Sequence, residues 1–285
     1  MQKQMRLRAK ELFESGEIDC ILAWRRGDFP CETEPGFFTN AYDIDNLVYN
    51  IYCSSNLSKY MIETSRAYKR TLIFLKPCDS YSFNQLIKEH LIKREKTYII
   101  GIGCEGNAHV HEGEDLGLLE ACRMCTKTEH AVFDELINAE IMPRETSDDS
   151  MRFLGVTELE NKSPEERYDF WRGQLSRCIR CNACRNVCPT CNCKKCVFDN
   201  SNYNTEQKAN ASSFEEQMFH IIRAYHVAGR CTDCGQCVRV CPVNIDLHLL
   251  NRKFIKDINK MYGEYQAGAD TESAGPLTAY NIEKD

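Results

Sequence analysis

Met5, Ala9, Leu12 and Phe13 fall on one face of a helix that Gly16 closes. Side chains three and four apart meet along a 3.6-residue period, and glycine accepts the left-handed conformation that ends helices. The apolar run Ile18 to Trp24 reads as a buried strand, and a second helix is expected from Leu57 to Tyr68. Then come strand Thr71–Leu75, Pro77-Cys78-Asp79-Ser80, a helix bearing Phe83, Leu86, Ile87 and Leu91, strand Tyr98–Ile102, and Cys104. This is a βαβ unit, whose two strands run parallel and lie adjacent or nearly so. Each strand ends in a cysteine. Ligands of open α/β sheets collect beyond the carboxyl ends of strands, and neighbouring strands stand about 4.8 Å apart, so Cys78 and Cys104 can share one metal site. Cys122-x-x-Cys125, closing a helix expected from Asp115, brings two more thiols to it. The first half is therefore an α/β domain, a parallel or mixed sheet with flanking helices.

The second half has only the helical period. A charged, turn-rich stretch from Arg144 to Ser150 reads as a linker. Ser163-Pro164-Glu165-Glu166 is a capping box with proline at the first helical position, opening a helix with Tyr168, Trp171 and Leu175. Another is expected from Phe214, with Met218, Ile221, Ile222 and Tyr225 on one face and Gly229 as its stop; Asp246 is expected to cap a last one bearing Leu247, Leu250, Phe254 and Ile258. The tail after Glu264 lacks apolar periodicity and is expected to be ordered only against a partner. The expected domains are residues 1–145, 146–263 and the tail 264–285.

Two copies of one cysteine phrase lie between these helices: Cys178-x-x-Cys181-x-x-Cys184-x-x-x-Cys188-Pro189 and Cys231-x-x-Cys234-x-x-Cys237-x-x-x-Cys241-Pro242. That spacing is the ligand run of a bacterial two-cluster ferredoxin, in which the fourth cysteine of each run reaches the other cluster. A short loop wraps three corners of a cube but not the fourth, and the proline fixes φ and ends the loop. Two zinc knuckles would need four thiolates each and gain nothing from the third step of each run. One 4Fe-4S cluster is thus expected on Cys178, Cys181, Cys184 and Cys241, the other on Cys231, Cys234, Cys237 and Cys188, in an α+β dicluster ferredoxin domain with helical insertions.

Composition narrows the setting. With 18 cysteines the chain could be a disulfide scaffold, but Met1 to Lys10 lack the apolar core of a secretory signal, so a reducing cytoplasm is the expected compartment. No apolar run reaches the roughly 18 residues of a membrane span. The formal net charge of −6, with no basic stripe interleaved by aromatics, argues against nucleic acid.

Lys76-Pro77-Cys78-Asp79, Ile102-Gly103-Cys104-Glu105-Gly106 and Cys122-Arg123-Met124-Cys125, in that order and with Asn50-x-x-Cys53-x-x-Asn56-Leu57 before them, resemble the beta subunits of coenzyme F-420 hydrogenases and dehydrogenases. The formate dehydrogenase type, which carries a C-terminal ferredoxin-like module, is the most similar. The resemblance runs from about Glu17 to Leu250. It implies a third 4Fe-4S cluster on Cys78, Cys104, Cys122 and Cys125 beside an FAD that exchanges hydride with a deazaflavin or a related carrier. The family's glycine-rich helix start near the flavin has no counterpart here, nor has the aspartate-containing stretch after its CxxC, so any flavin is expected to be lost more readily than in longer relatives.

Several other groups compete for attention. Gly101-x-Gly103-x-x-Gly106 matches a dinucleotide fingerprint and follows a strand, but such a site needs a helix opening directly from the loop, and Asn107 to Gly113 reads as loop. His109 and His111 on it read as a solvated pair before they read as ligands. Cys191, Cys193 and Cys196 could form a zinc or further iron–sulfur site with a remote residue such as Cys53, or pack as thiols around the neighbouring cube. Cys20 reads as a small buried hydrophobe; Cys31 has no assigned role, and Arg25-Arg26-Gly27 reads as an exposed turn. With no hydrogenase, molybdopterin or thiol-disulfide constellation in the sequence, the expected protein is an electron-transfer subunit of an anaerobic oxidoreductase. Its expected partners are heterodisulfide-reductase-like, hydrogenase or formate dehydrogenase subunits; the alternative is a flavin subunit that itself oxidises or reduces coenzyme F-420 or NAD(P).

Overall fold

The computed structural model describes residues 1–29, 31–108, 117–141, 149–199 and 214–277. The chain divides into two units, residues 1–148 with 267–273 and residues 149–266 with 274–285.

The first unit is a mixed sheet with flanking helices. Helix α1 (Gln2–Glu14) buries Met5, Ala9 and Leu12 as its spacing requires, and Gly16 follows it at φ +74°. The strands are β1 (Cys20–Arg26), β2 (Thr33–Phe38), β3 (Leu47–Val48), β4 (Thr71–Leu75), β5 (Thr97–Ile102) and β6 (Glu135–Ile137). The sheet order is β2-β1-β4-β5-β6, with β3 also paired to β1. The βαβ expectation holds: β4 and β5 are parallel neighbours, Leu75 opposite Gly101. Strand β1 runs parallel to β4 but antiparallel to β2 and β3. It begins two residues later than the apolar run suggests because Asp19 is occupied in accepting the backbone N–H groups of Lys69 and Arg70.

A 3-10 turn over Leu57–Tyr60 precedes helix α2 (Met61–Ala67), so the expected single helix is in two parts. Asn56, wholly buried, accepts the N–H of Ser58 and donates to Ser82 on α3 (Pro77–Lys88). Helix α3 stops before Leu91, which returns its N–H to Leu86 across the left-handed His90. Helix α4 is short, Glu120–Arg123; the expected start at Asp115 lies outside the described residues. Residues Leu72 to Leu75, Ile99 and Ile100 are fully buried, which is why β4 and β5 read as near-continuous apolar runs.

In the second unit the described residues form helices α5 (Asp149–Arg152), α6 (Leu154–Glu160), α7 (Pro164–Ser176), α8 (Ala183–Val187), α9 (Phe214–His226), α10 (Gln236–Arg239) and α11 (Leu247–Tyr262), with turns and no strand. An α+β sheet is therefore not seen among them. Most of the linker from Arg144 to Ser150 lies outside the described residues. Helix α7 carries the expected capping box, Ser163 Oγ accepting the Glu166 N–H and Glu166 the Ser163 N–H. Asp246 takes the N-cap position of α11, but its carboxylate accepts from Gln174 Nε2 instead of the helix. Helix α9 is turned from its expected face: Phe219, His220, Arg223 and Ala224 are buried while Tyr225 is exposed, its ring against Phe254. Asp233 is buried between Arg152 and Arg252, at 2.8 and 3.0 Å.

Because Phe74 is wholly buried on the central β4, Phe74→Ala is expected to cost about 3–5 kcal/mol by leaving a cavity no neighbour can fill. Urea denaturation followed by circular dichroism measures it.

Candidate metal centres

Four thiols of the first unit converge at the carboxyl end of the sheet. Cys78 sits in the first turn of α3 straight after β4, Cys104 follows β5, Cys122 is in α4 and Cys125 just beyond it. Burial lifts the Cys78 thiol well above its ordinary range, Asp79 adds to this, Lys76 opposes it, and Cys104 and Cys125 push it further up. Cys122 is raised to about 11, by burial first, with Cys104 and Cys125 adding and the Asn107 amide opposing. The Asn107 N–H donates to Cys122 Sγ at 3.3 Å and the Gly106 N–H to Cys104 Sγ at 3.4 Å. Amides aimed at sulfur favour the anionic thiolate, the form in which cysteine binds metal.

Lys76 is the counter-charge of this pocket, and sequence reasoning missed it because an isolated lysine usually marks a solvated position. It is 1% exposed. Its Nζ donates to the carbonyls of Cys53 and Ser55 at 2.7 and 3.2 Å, pairs with Asp79 at 3.1 Å, and stands 4.5 Å from the Trp24 ring centre. Burial opposes its charge, but Asp79 and the thiols of Cys78, Cys104 and Cys53 outweigh that and raise its pKa. Tyr49 packs on Trp24 and donates its hydroxyl to the Gly103 carbonyl at 2.8 Å. Cys53 is wholly buried here, its Sγ accepting the Asn50 N–H.

The glycines of the fingerprint have structural uses. A side chain at Gly101 would meet Leu136 and His130, one at Gly103 the Asn138 carbonyl, and Gly106 holds φ +97°. No helix opens within Gly106–Ala108, where Ala108 instead bridges Leu118. His109 and His111 lie outside the described residues. His130, which the sequence did not single out, faces the Leu75 carbonyl through Nε2 at 3.0 Å.

In the second unit the two cysteine phrases fold alike. Arg180 and Asp233 hold φ 58° and 56°, and the equivalent Asn182 and Gly235 hold 61° and 70°. These paired left-handed turns wrap each loop before α8 and α10. Burial raises the Cys184 thiol to about 11; Arg223 opposes this, and Cys237, Cys178 and Cys241 add to it. Burial likewise lifts Cys231, then Asp233, then Cys188 and Cys234. Cys237 rises through burial, opposed by Arg223, with Cys188 and Asp233 adding. The fourth cysteine of each phrase thus stands beside thiols of the other. The Arg180 N–H donates to Cys178 Sγ at 3.3 Å, the Ile245 N–H to Cys241 Sγ at 3.4 Å and Asn251 Nδ2 to Cys237 Sγ at 3.7 Å. Among the described residues no trio of thiols closes to within 4.8 Å, whereas zinc with bonds of about 2.3 Å would hold its sulfurs about 3.8 Å apart.

Cys191, Cys193 and Cys196 lie on the turns after the first phrase, Cys193 exposed. The Cys191 N–H donates to the Cys188 carbonyl, and Cys196 joins Asp199 in raising the pKa of Arg185 against its burial. Cys53, the remote ligand weighed for them, belongs to the first unit. Arg25 pairs with Glu34 at 2.7 Å.

Residues 174–245 match the 4Fe-4S dicluster domain family. The chain is thus an iron–sulfur protein, with the electron-transfer chemistry of an oxidoreductase. Nearly its whole length is similar to the F420-dependent formate dehydrogenase subunit beta of Methanocaldococcus jannaschii, at 23% identity over 96% of this chain and 93% of that one. The F420-dependent formate dehydrogenase 1 subunit beta of Methanococcus maripaludis is 22% identical over 94% and 91%. The resemblance read from the cysteine motifs therefore holds along the chain. A chain in the xenon-derivatised F420-reducing [NiFe] hydrogenase complex of Methanosarcina barkeri matches over 34% of this chain and 35% of its own, at 18% identity and a TM-score of 0.29, too slight a likeness to build on. No helix among the described residues is long and apolar enough to cross a membrane.

Cys20 offers a check on burial. Desolvation first, then Asp19, push its thiol up to about 12, so at pH 8 only about one molecule in ten thousand carries the reactive thiolate there. Anaerobic iodoacetamide treatment of the native protein should label the exposed Cys31 and spare Cys20, read by peptide mass spectrometry.

Proposed function

We propose that this chain is the electron-relay subunit of an anaerobic, cytoplasmic oxidoreductase complex. In this reading it passes electrons between a dehydrogenase or hydride-carrier partner and a heterodisulfide-reductase-like, hydrogenase or formate dehydrogenase partner. The observation that carries it is that the fourth cysteine of each phrase acts on thiols of the other, Cys241 on Cys184 and Cys188 on Cys231 and Cys237. A dicluster electron carrier shares its ligands in this crossed way. Cys178, Cys181, Cys184 and Cys241 would hold one cluster and Cys231, Cys234, Cys237 and Cys188 the other, each supplying one-electron chemistry when bound. Cys78, Cys104, Cys122 and Cys125 would hold a third, with Lys76 balancing part of its thiolate charge. The names of the two formate dehydrogenase relatives favour a second reading, in which the subunit also holds FAD and itself reacts with the deazaflavin.

Two measurements test the assignment. Cys188→Ser should alter the electron paramagnetic resonance signal of the cluster on the second phrase, and Cys241→Ser that on the first; damage confined to the mutated residue's own phrase would refute the crossing. Cys104→Ser in the full chain should lower iron from about twelve to about eight per molecule, and unchanged iron would remove the third cluster. For the flavin, denaturing the isolated complex and quantifying what is released separates the readings: one flavin per chain supports the second, none the relay alone.

A further inference from the structure

Arg223 lies in the middle of α9, 2% exposed, and none of its three guanidinium nitrogens has a hydrogen-bond partner among the described residues. An isolated buried cation is among the costliest groups a fold can carry, so something must accept these donors. The groups that act most on its charge are thiols. Cys237, Cys184, Cys188 and Cys191 all act on its charge, the first three from both phrases and from both proposed clusters. Burial opposes the charge, and these thiols outweigh it. Its neighbour His220 does not accept them: neither of its ring nitrogens has a hydrogen-bond partner among the described residues, and burial first, then Arg223 and Arg180, keep the ring neutral with a pKa of about 3. Arg180, whose guanidinium stacks 4.1 Å from the Phe219 ring centre, is likewise a cation.

We infer that Arg223 is a fixed positive charge shared by the two C-terminal clusters, its N–H groups donating to the sulfur of both and holding both reduction potentials up. The inference rests on the eight-thiol ligand reading. Net charge and hydrogen bonds to sulfur are the levers by which a protein sets such potentials. Each cluster gains one electron on reduction, so a nearby cation favours the reduced form of each. A guanidinium spreads five donors over a plane, enough to serve two neighbouring sulfur cages at once. Arg223 is therefore a positioning residue for charge, and because thiols of both sets act on it, one cation raises both potentials together.

The test uses the full chain loaded with iron and titrated anaerobically with dithionite through mediators, the reduced clusters being counted by electron paramagnetic resonance. Arg223→Gln should keep the iron content and lower the reduced-to-oxidised ratio of both C-terminal clusters about tenfold at a fixed poise, a shift of about 59 mV for one electron. Arg223→Lys should recover most of it. Iron-replete Arg223→Gln with unmoved potentials, or with only one cluster moved, overturns the shared charge. Loss of iron from the unmutated protein's eight-thiol set would instead overturn the ligand reading beneath it. Should no variant at this position hold its clusters, pulsed resonance on the unmutated chain grown with 15N-arginine decides. Weak nitrogen coupling at both reduced clusters supports the inference, and its absence at either overturns it.

Discussion

A fully buried ammonium group dictates the architecture of the first unit. Lys76 closes β4, and its three protons must be met by oxygen; the chain meets them with the carbonyls of Cys53 and Ser55 and the carboxylate of Asp79. Those contacts fix the 53–55 turn over the end of the sheet and the first turn of α3. Trp24 of β1 covers the remaining side and donates its own Nε1–H to Ser55 at 3.2 Å. Removing one partner of such a pair typically costs about 3–5 kcal/mol, since the survivor is left buried and uncompensated. Cys78 sits on the helix turn that this cation fixes, and Cys78, Cys104 and Cys53 all act on its charge, so the charge that assembles the pocket also moderates the repulsion among thiolates gathered in it.

The second unit solves the same electrostatic problem with arginine. Arg223 faces the thiols, while Arg152 and Arg252 neutralise Asp233 in the turn of the second phrase. Sulfur-rich loops carry several negative charges in a small volume, and a helical unit with few strands to share them needs cations delivered from its long helices. Arg223 comes from α9 and Arg252 from α11, the two that flank the loops.

Legibility followed the local signals. The βαβ unit, its parallel strands and the cysteines at their ends could be read because β4 and β5 are apolar throughout and bounded by Pro77 and Gly103. The capping box at Ser163 was readable for the same reason. Strands β2, β3 and β6 were not: Thr33–Phe38 contains Pro35 and Gly36, β3 spans two residues and β6 three, so their pairing is decided by β1 and β5 and not by their own pattern. The doubled cysteine phrase gave the eight C-terminal thiols by spacing alone, which the dicluster family match supports at the level of the domain. Lys76 and Arg223 escaped because period and propensity treat a charged residue as solvent-facing. The turned face of α9 was the available clue: Phe219, Ala224 and Val227 form an apolar stripe, and Arg223 lies within it.

The Arg152–Asp233–Arg252 bridge joins the turn of the second phrase to α5 and α11, and on the first phrase Arg185 of α8 pairs with Asp199 at 2.7 Å. There Arg177 reaches the Asn244 carbonyl from an exposed position, and Arg180 rests on an aromatic ring. The two loops differ in exposure although their sequences repeat: Cys181 is exposed and its counterpart Cys234 half-buried. Oxygen and chelators therefore reach Cys181 before they reach Cys234, and damage to the protein has a preferred point of entry.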